Sequence, residues 1–138
     1  MNPFRSLPEY ENFVYTLQQS YPGITRSTLV VSRHGRGIAR LNGEVLFGTG
    51  HRLTVHEVLV WDTGTVVITQ YGYEVWRGSE KLYWYDSQPH PGDPKLAATH
   101  PHHKHVPPDI KHNRIPALGF SFNEPNLSRL IEEIEQLP

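Results

Sequence analysis

The apolar positions of the chain fall into three successive patterns. From Ser6 to about Tyr21, Tyr10, Phe13, Val14 and Leu17 recur at helical spacing and predict a short amphipathic helix. Ser6 is placed to cap it, Glu9 sits three positions on as the capping-box partner, and Pro8 is tolerated in the first turn. Tyr21-Pro22-Gly23 then ends the helix. From Ile24 to about Asp86, runs rich in Val, Ile, Leu, Thr, Tyr and Trp alternate with turn residues at short intervals, as in an antiparallel meander. Leu29-Val30-Val31, Ile38 to Leu41, Glu44 to Phe47, Arg52 to Trp61, Val66 to Trp76 and Lys81 to Asp86 read as strands. Gly35-Arg36-Gly37, Asp62-Thr63-Gly64 and Gly78-Ser79 read as turns between them, and Asn42-Gly43 as a two-residue hairpin. The strands lie too close in sequence for crossover helices, which excludes a parallel sheet. At the C-terminal end, Leu127, Leu130, Ile131, Ile134 and Leu137 predict a second helix, capped by Asn123 or Asn126 and acidic on its other face.

The expected architecture is therefore α+β. An antiparallel meander of about five or six strands carries an N-terminal and a C-terminal helix packed on one face, in a single domain spanning residues 1–138. The third pattern interrupts it. Between Asp86 and Pro116 the chain is dense in proline and histidine, and seven prolines there forbid a helix of useful length. A loop this long in a small domain is usually functional or disordered.

Composition narrows the chemistry. No cysteine is present among the 138 residues, so disulfides, thiolate metal sites and thiol nucleophiles are excluded. A formal net charge of −1 lacks the basic excess of a non-specific nucleic-acid binder. No stretch is apolar enough to span a membrane, and the first residues lack a secretory pattern, so a cytoplasmic protein is expected. Of nine histidines, His90, His100, His102, His103 and His105 fall within sixteen residues.

That segment, LYWYDSQPHPGDPKLAATHPHHKHVPP, resembles the TumE family of small bacterial proteins. The motif falls on Tyr85, Asp86, Pro89, His90, Pro101, His102, His103, Lys104 and His105. The resemblance extends upstream through Arg36-Gly37, Asn42-Gly43, Glu57 and Tyr71-Gly72-Tyr73, and downstream to the acidic helix LSRLIEEIEQL. It implies the toxin half of a toxin–antitoxin pair, with a cognate helix-turn-helix antitoxin as partner. RNA is the substrate considered, and a homodimer is a further option.

Clustered histidines suit three roles. Imidazoles with separated pKa values act as base and acid near neutrality, and a lysine stabilises the charge that builds on a phosphorane. On that reading His90, His102, His103, Lys104 and His105 form a metal-independent endoribonuclease centre, with Asp86 orienting one imidazole. Tyr73 and Tyr85 would stack on bases, and Arg77 is a further substrate-binding candidate. Alternatively, residues two apart on an extended segment point the same way, so His103 with His105, or His100 with His102, can reach one zinc ion, with His90 or Asp86 as a third ligand. The third reading is structural: a surface loop, a partner-docking loop, or a strand whose imidazoles satisfy buried groups. His34, His51, His56 and His112 are scattered and fit surface or strand positions. Glu57, in mid-strand, needs a partner if it faces the core, with Arg52 or Arg77 the candidates for a structural ion pair.

Overall fold

The computed structural model describes residues 2–61, 64–87, 102–108, 114–117 and 119–138. A short 3-10 turn, Pro3–Arg5, places Phe4 in the core ahead of helix α1, Leu7–Tyr15. The Ser6 hydroxyl accepts from the Glu9 amide at 3.3 Å, as the capping pattern requires. The expected single helix is divided at Thr16, whose hydroxyl bonds back to the Asn12 carbonyl at 2.7 Å. Side-chain bonding of this kind competes with the helical ladder. A last turn, α2, follows at Leu17–Ser20.

The strands are β1 (Ile24–Ser27), β2 (Val30–His34), β3 (Ile38–Phe47), β4 (His51–Val60), β5 (Val67–Arg77), β6 (Glu80–Asp86), β7 (His103–His105) and β8 (Arg114–Pro116). They form one antiparallel sheet in the order β1-β3-β4-β5-β6-β7-β8, with β2 also paired to β3. The expected meander and its two flanking helices are present. The sheet is wider than expected because the proline–histidine segment contributes β7 and β8, which extend it beyond β6.

The predicted Asn42-Gly43 hairpin does not form. Both residues lie inside the continuous strand β3, where Asn42 faces His56 and Gly43 faces Val55. The glycine serves a different purpose. β1 and β2 pair with successive halves of β3, and the link between them crosses at Gly43. A Cβ there would stand 2.6 Å from the Thr28 carbonyl oxygen and 2.8 Å from the Leu29 Cα, and the residue has φ 142°. Only glycine allows that approach. The Gly35-Arg36-Gly37 and Gly78-Ser79 turns are where the sequence puts them. Asp62 and Thr63 lie outside the described residues, as do 88–101, including His90 and His100, and His112.

Period-two alternation gives the central strands two different faces. Leu53, Val55 and Leu59 of β4 and Tyr71, Tyr73 and Val75 of β5 are buried. Tyr10 of α1 bonds to Glu57 on this face, and Glu133 of the C-terminal helix α3, Leu127–Glu135, bonds to Tyr83 and Tyr85 on it. Both end helices therefore cover the same side. Asn126, expected as a cap, makes no cap bond; its side chain instead bridges Ser121 and the Tyr73 hydroxyl. Thr54, His56, Glu74, Trp76 and Trp84 occupy the opposite face.

Candidate functional site

The pairing of β7 with β6 sorts the Pro-His-His-Lys-His segment by face. Asp86 stands opposite His103, Tyr85 opposite Lys104, and Trp84 opposite His105. Directly opposed residues of an antiparallel pair share a face. His103 and His105 therefore join Asp86 and Trp84 on the side away from the helices, and Lys104 joins Tyr85 on the core side. The distances agree. The Nε2 of His103 contacts Asp86 Oδ1, and the Nε2 of His105 lies 3.3 Å from Asp86 Oδ2. His103 is fully buried and His105 2% exposed, whereas Asp86 keeps 25% of its side chain accessible. Trp84 packs edge-on against the His105 ring at 4.5 Å and fixes its plane. Burial alone would raise the Asp86 carboxyl; the His103 and His105 imidazoles outweigh it and hold the group below its usual range.

A groove of about 390 Å³ opens beside this carboxylate, lined on the outer face by Thr54, His56, Gly72, Glu74, Trp84 and Asp86. Gly72 stands opposite Asp86 in the register, and a Cβ there would meet nothing within 4 Å. The missing side chain leaves the floor open beside the acid. Lys81 lies 3.8 Å from the centre of the Trp84 ring and 5.3 Å from that of Trp76, while pairing with Glu74 at 2.8 Å. Lys81 was not singled out in the sequence. Its place follows from the register shift between Val75 and Trp76, which brings it opposite Trp76.

The remaining candidates lie elsewhere. Lys104 extends its ammonium over Tyr83 at 4.3 Å and Tyr85 at 5.2 Å. His102 lies parallel to Tyr71, with its Nδ1 2.6 Å from the Tyr71 hydroxyl. Neither joins the Asp86 cluster. The Tyr73 ring is stacked on Tyr71 at 4.8 Å and that of Tyr85 on Phe120 at 4.2 Å. Both rings are buried, which leaves them no free face for a base. Arg77, at the far end of β5, bonds to His51 at 2.9 Å and to the Pro138 carbonyl. It is five residues beyond Gly72, roughly 17 Å along a strand.

Glu57 faces the core, but neither expected arginine reaches it. Arg52 projects to the other face and pairs with Glu44 at 2.8 Å. Two phenols take their place: the Tyr10 hydroxyl donates to Glu57 at 2.6 Å and the Tyr73 hydroxyl at 2.5 Å. Burial pushes the Glu57 carboxyl up to about 7 despite these two bonds, each of which favours the anion. Three of the four scattered histidines have local partners, and His112 lies outside the described residues. His34 bonds to Ser32, His51 to Thr49 and Arg77, and His56 to Asn42.

Among the described residues, Asp86, His103 and His105 form a group whose ligand atoms all lie within 4.8 Å of one another. Two imidazoles and a carboxylate at this separation can exchange protons or hold a cation. No helix among the described residues is long and apolar enough to cross a membrane.

These features define an antiparallel-sheet protein with helices on one face and a histidine–carboxylate cluster on the other. The family model described as Toxin TumE matches residues 14–138, nearly the whole chain, and the protein belongs to that family. It is thus a toxin of a toxin–antitoxin system, and membership implies a cognate antitoxin. No curated protein and no solved structure matches the chain.

Proposed function

We propose that this toxin cleaves RNA on the outer face of its sheet, at Asp86, His103 and His105, and that a helix-turn-helix antitoxin neutralises it. The observation that supports this is the convergence of the two imidazoles on one partly exposed carboxylate beside an open groove. In cleavage by the RNA's own 2′-hydroxyl, a base takes the hydroxyl proton, the oxygen attacks phosphorus, and the bond to the 5′-oxygen breaks as that oxygen is protonated. Near-neutral groups serve both proton transfers best. Trp84 and Trp76, flanking Lys81, supply aromatic and cationic surface on the same face for a single strand.

Of the six groups expected in one centre, Asp86, His103 and His105 are retained, and His102 and Lys104, which face the core, take no catalytic part. Tyr73 and Tyr85 likewise lose the base-contacting role. His90 lies outside the described residues.

The test is induction of the chain in a bacterial host, beside Asp86→Asn and a His102→Gln control from the opposite face. Growth arrest with cleaved RNA is expected for the wild type and His102→Gln, and neither for a folded Asp86→Asn. Arrest with intact RNA would move the target away from RNA. Cleavage undiminished in Asp86→Asn would move the site elsewhere in the chain.

A further inference from the structure

We infer that Asp86, His103 and His105 form a binding site for one divalent transition-metal ion of the zinc class. Three ligand atoms, one carboxylate oxygen and two imidazole nitrogens, lie within 4.8 Å of one another. That donor set suits zinc and its first-row neighbours better than magnesium or calcium, which take oxygen ligands. Three protein ligands are also the number found in zinc sites that keep a position open for water or substrate.

The backbone explains why these three groups meet. His103 and His105 are two apart on β7 and so share a face, and the β6 register sets Asp86 directly opposite His103. The two rings stand 5.5 Å apart at 66°, splayed rather than stacked, so their Nε2 atoms converge on the carboxylate. The Trp84 edge contact holds the His105 plane. Zinc–nitrogen and zinc–oxygen bonds of about 2.0–2.2 Å at a tetrahedral ion set ligand atoms roughly 3.4 Å apart, so His103 Nε2 and Asp86 Oδ1, now in direct contact, would separate to admit the ion. The groove gives the open side of such an ion a route to solvent, because Asp86 lines it and Gly72 leaves its floor clear.

The position of Lys104 gives the ion a role. A phosphorane needs positive charge beside it, and the lysine expected to supply it lies on the core side over Tyr83. A divalent ion held by Asp86, His103 and His105 would supply that charge on the reacting face and would lower the pKa of a bound water toward neutrality. His103 and His105 would then act as ligands. The role in cleavage rests on the RNA reading above; the binding stands on the geometry alone.

The probes are Zn²⁺ and Co²⁺, titrated into the folded full-length chain after chelation and removal of the chelator. One ion per chain is expected, with a Co²⁺ visible band of low coordination number. At free Zn²⁺ of about 100 times the dissociation constant, the unfolding midpoint should rise by several degrees. Asp86→Asn and His105→Gln should lose the band and the rise, and His102→Gln should keep both. Circular dichroism checks that each variant is folded. Absence of saturable binding in the wild type, or binding equal in all three variants, would overturn the site. RNA is assayed on the same samples. A protein that binds the ion and leaves RNA intact supports the metal site and overturns the RNA reading. Cleavage by a chain that binds no ion does the reverse.

Discussion

Two carboxylates lie on opposite faces of one sheet and are treated in opposite ways. Glu57 on β4 is enclosed by the helices and held by the phenols of Tyr10 and Tyr73, and burial raises its carboxyl to about 7. Asp86 on β6 is partly open to solvent and held by two imidazoles, which outweigh its burial and lower its carboxyl. Phenols solvate an anion without compensating its charge. Imidazoles, when protonated, compensate it as well. A strongly shifted carboxyl is often the mark of a reactive site. Here the upward shift belongs to the group that joins α1, β4 and β5, and the group beside the groove is the one shifted down. On the proposed reading, what surrounds a group is a better guide to function than the direction of its shift.

The sharpest way to break this contrast is to remove Glu57. Glu57→Ala leaves two buried phenol hydroxyls without their acceptor and opens a cavity, a cost on the order of 3–5 kcal/mol. Denaturant unfolding measures it; a loss under about 1 kcal/mol, within the range of ordinary surface changes, would mean that the Tyr10–Glu57–Tyr73 network does not brace the core. Glu57→Gln sharpens the comparison. The folded carboxyl titrates at about 7 against an ordinary 4.5, so folding favours its protonated form. That stability is complete below about pH 4.5 and is lost as the pH rises through 7, on the order of 3 kcal/mol in all. Glutamine cannot ionise, so the variant should show a flatter midpoint-against-pH curve across this window; an unchanged slope would place the titration elsewhere.

Asp86 works with the opposite sign. Its lowered carboxyl stabilises the fold above its ordinary pKa, and that contribution is lost as the pH falls through the lowered value. Asp86→Asn should therefore reduce the loss of stability in acid, read by the same thermal scans at low pH. The smallest effect belongs to Lys104. Lys104→Ala removes its contacts with Tyr83 and Tyr85 at a cost of about 1 kcal/mol, and leaves RNA cleavage unchanged, since the ammonium lies on the core side. A cleavage defect without a matching loss of stability would return Lys104 to the site.

Local rules made part of this legible. The Ser6 cap, the Gly35-Arg36-Gly37 turn, the antiparallel alternation and the apolar stripe of α3 depend on near neighbours, and the structure has them where the sequence puts them. Alternation also shows that His103 and His105 point the same way. Which face they reach depends on a strand pairing across the 88–101 segment, and a sequence pattern does not encode that register. The same limit applies to Glu57, whose partners stand 47 and 16 residues away. Asn42-Gly43 failed for a related reason: the residue pair of a hairpin also serves wherever another stretch of backbone passes close.

On the proposed reading, the outer carboxylate takes part in cleavage and the inner one supports the fold. The most direct test compares RNA cleavage by purified wild type, Asp86→Asn and Glu57→Gln, each confirmed folded. A loss of about 10²-fold or more is expected for Asp86→Asn, the scale of a positioned proton-transfer or charge-stabilising group, and a near wild-type rate for Glu57→Gln. A Glu57→Gln protein that no longer cleaves, beside an Asp86→Asn protein that does, would contradict this reading.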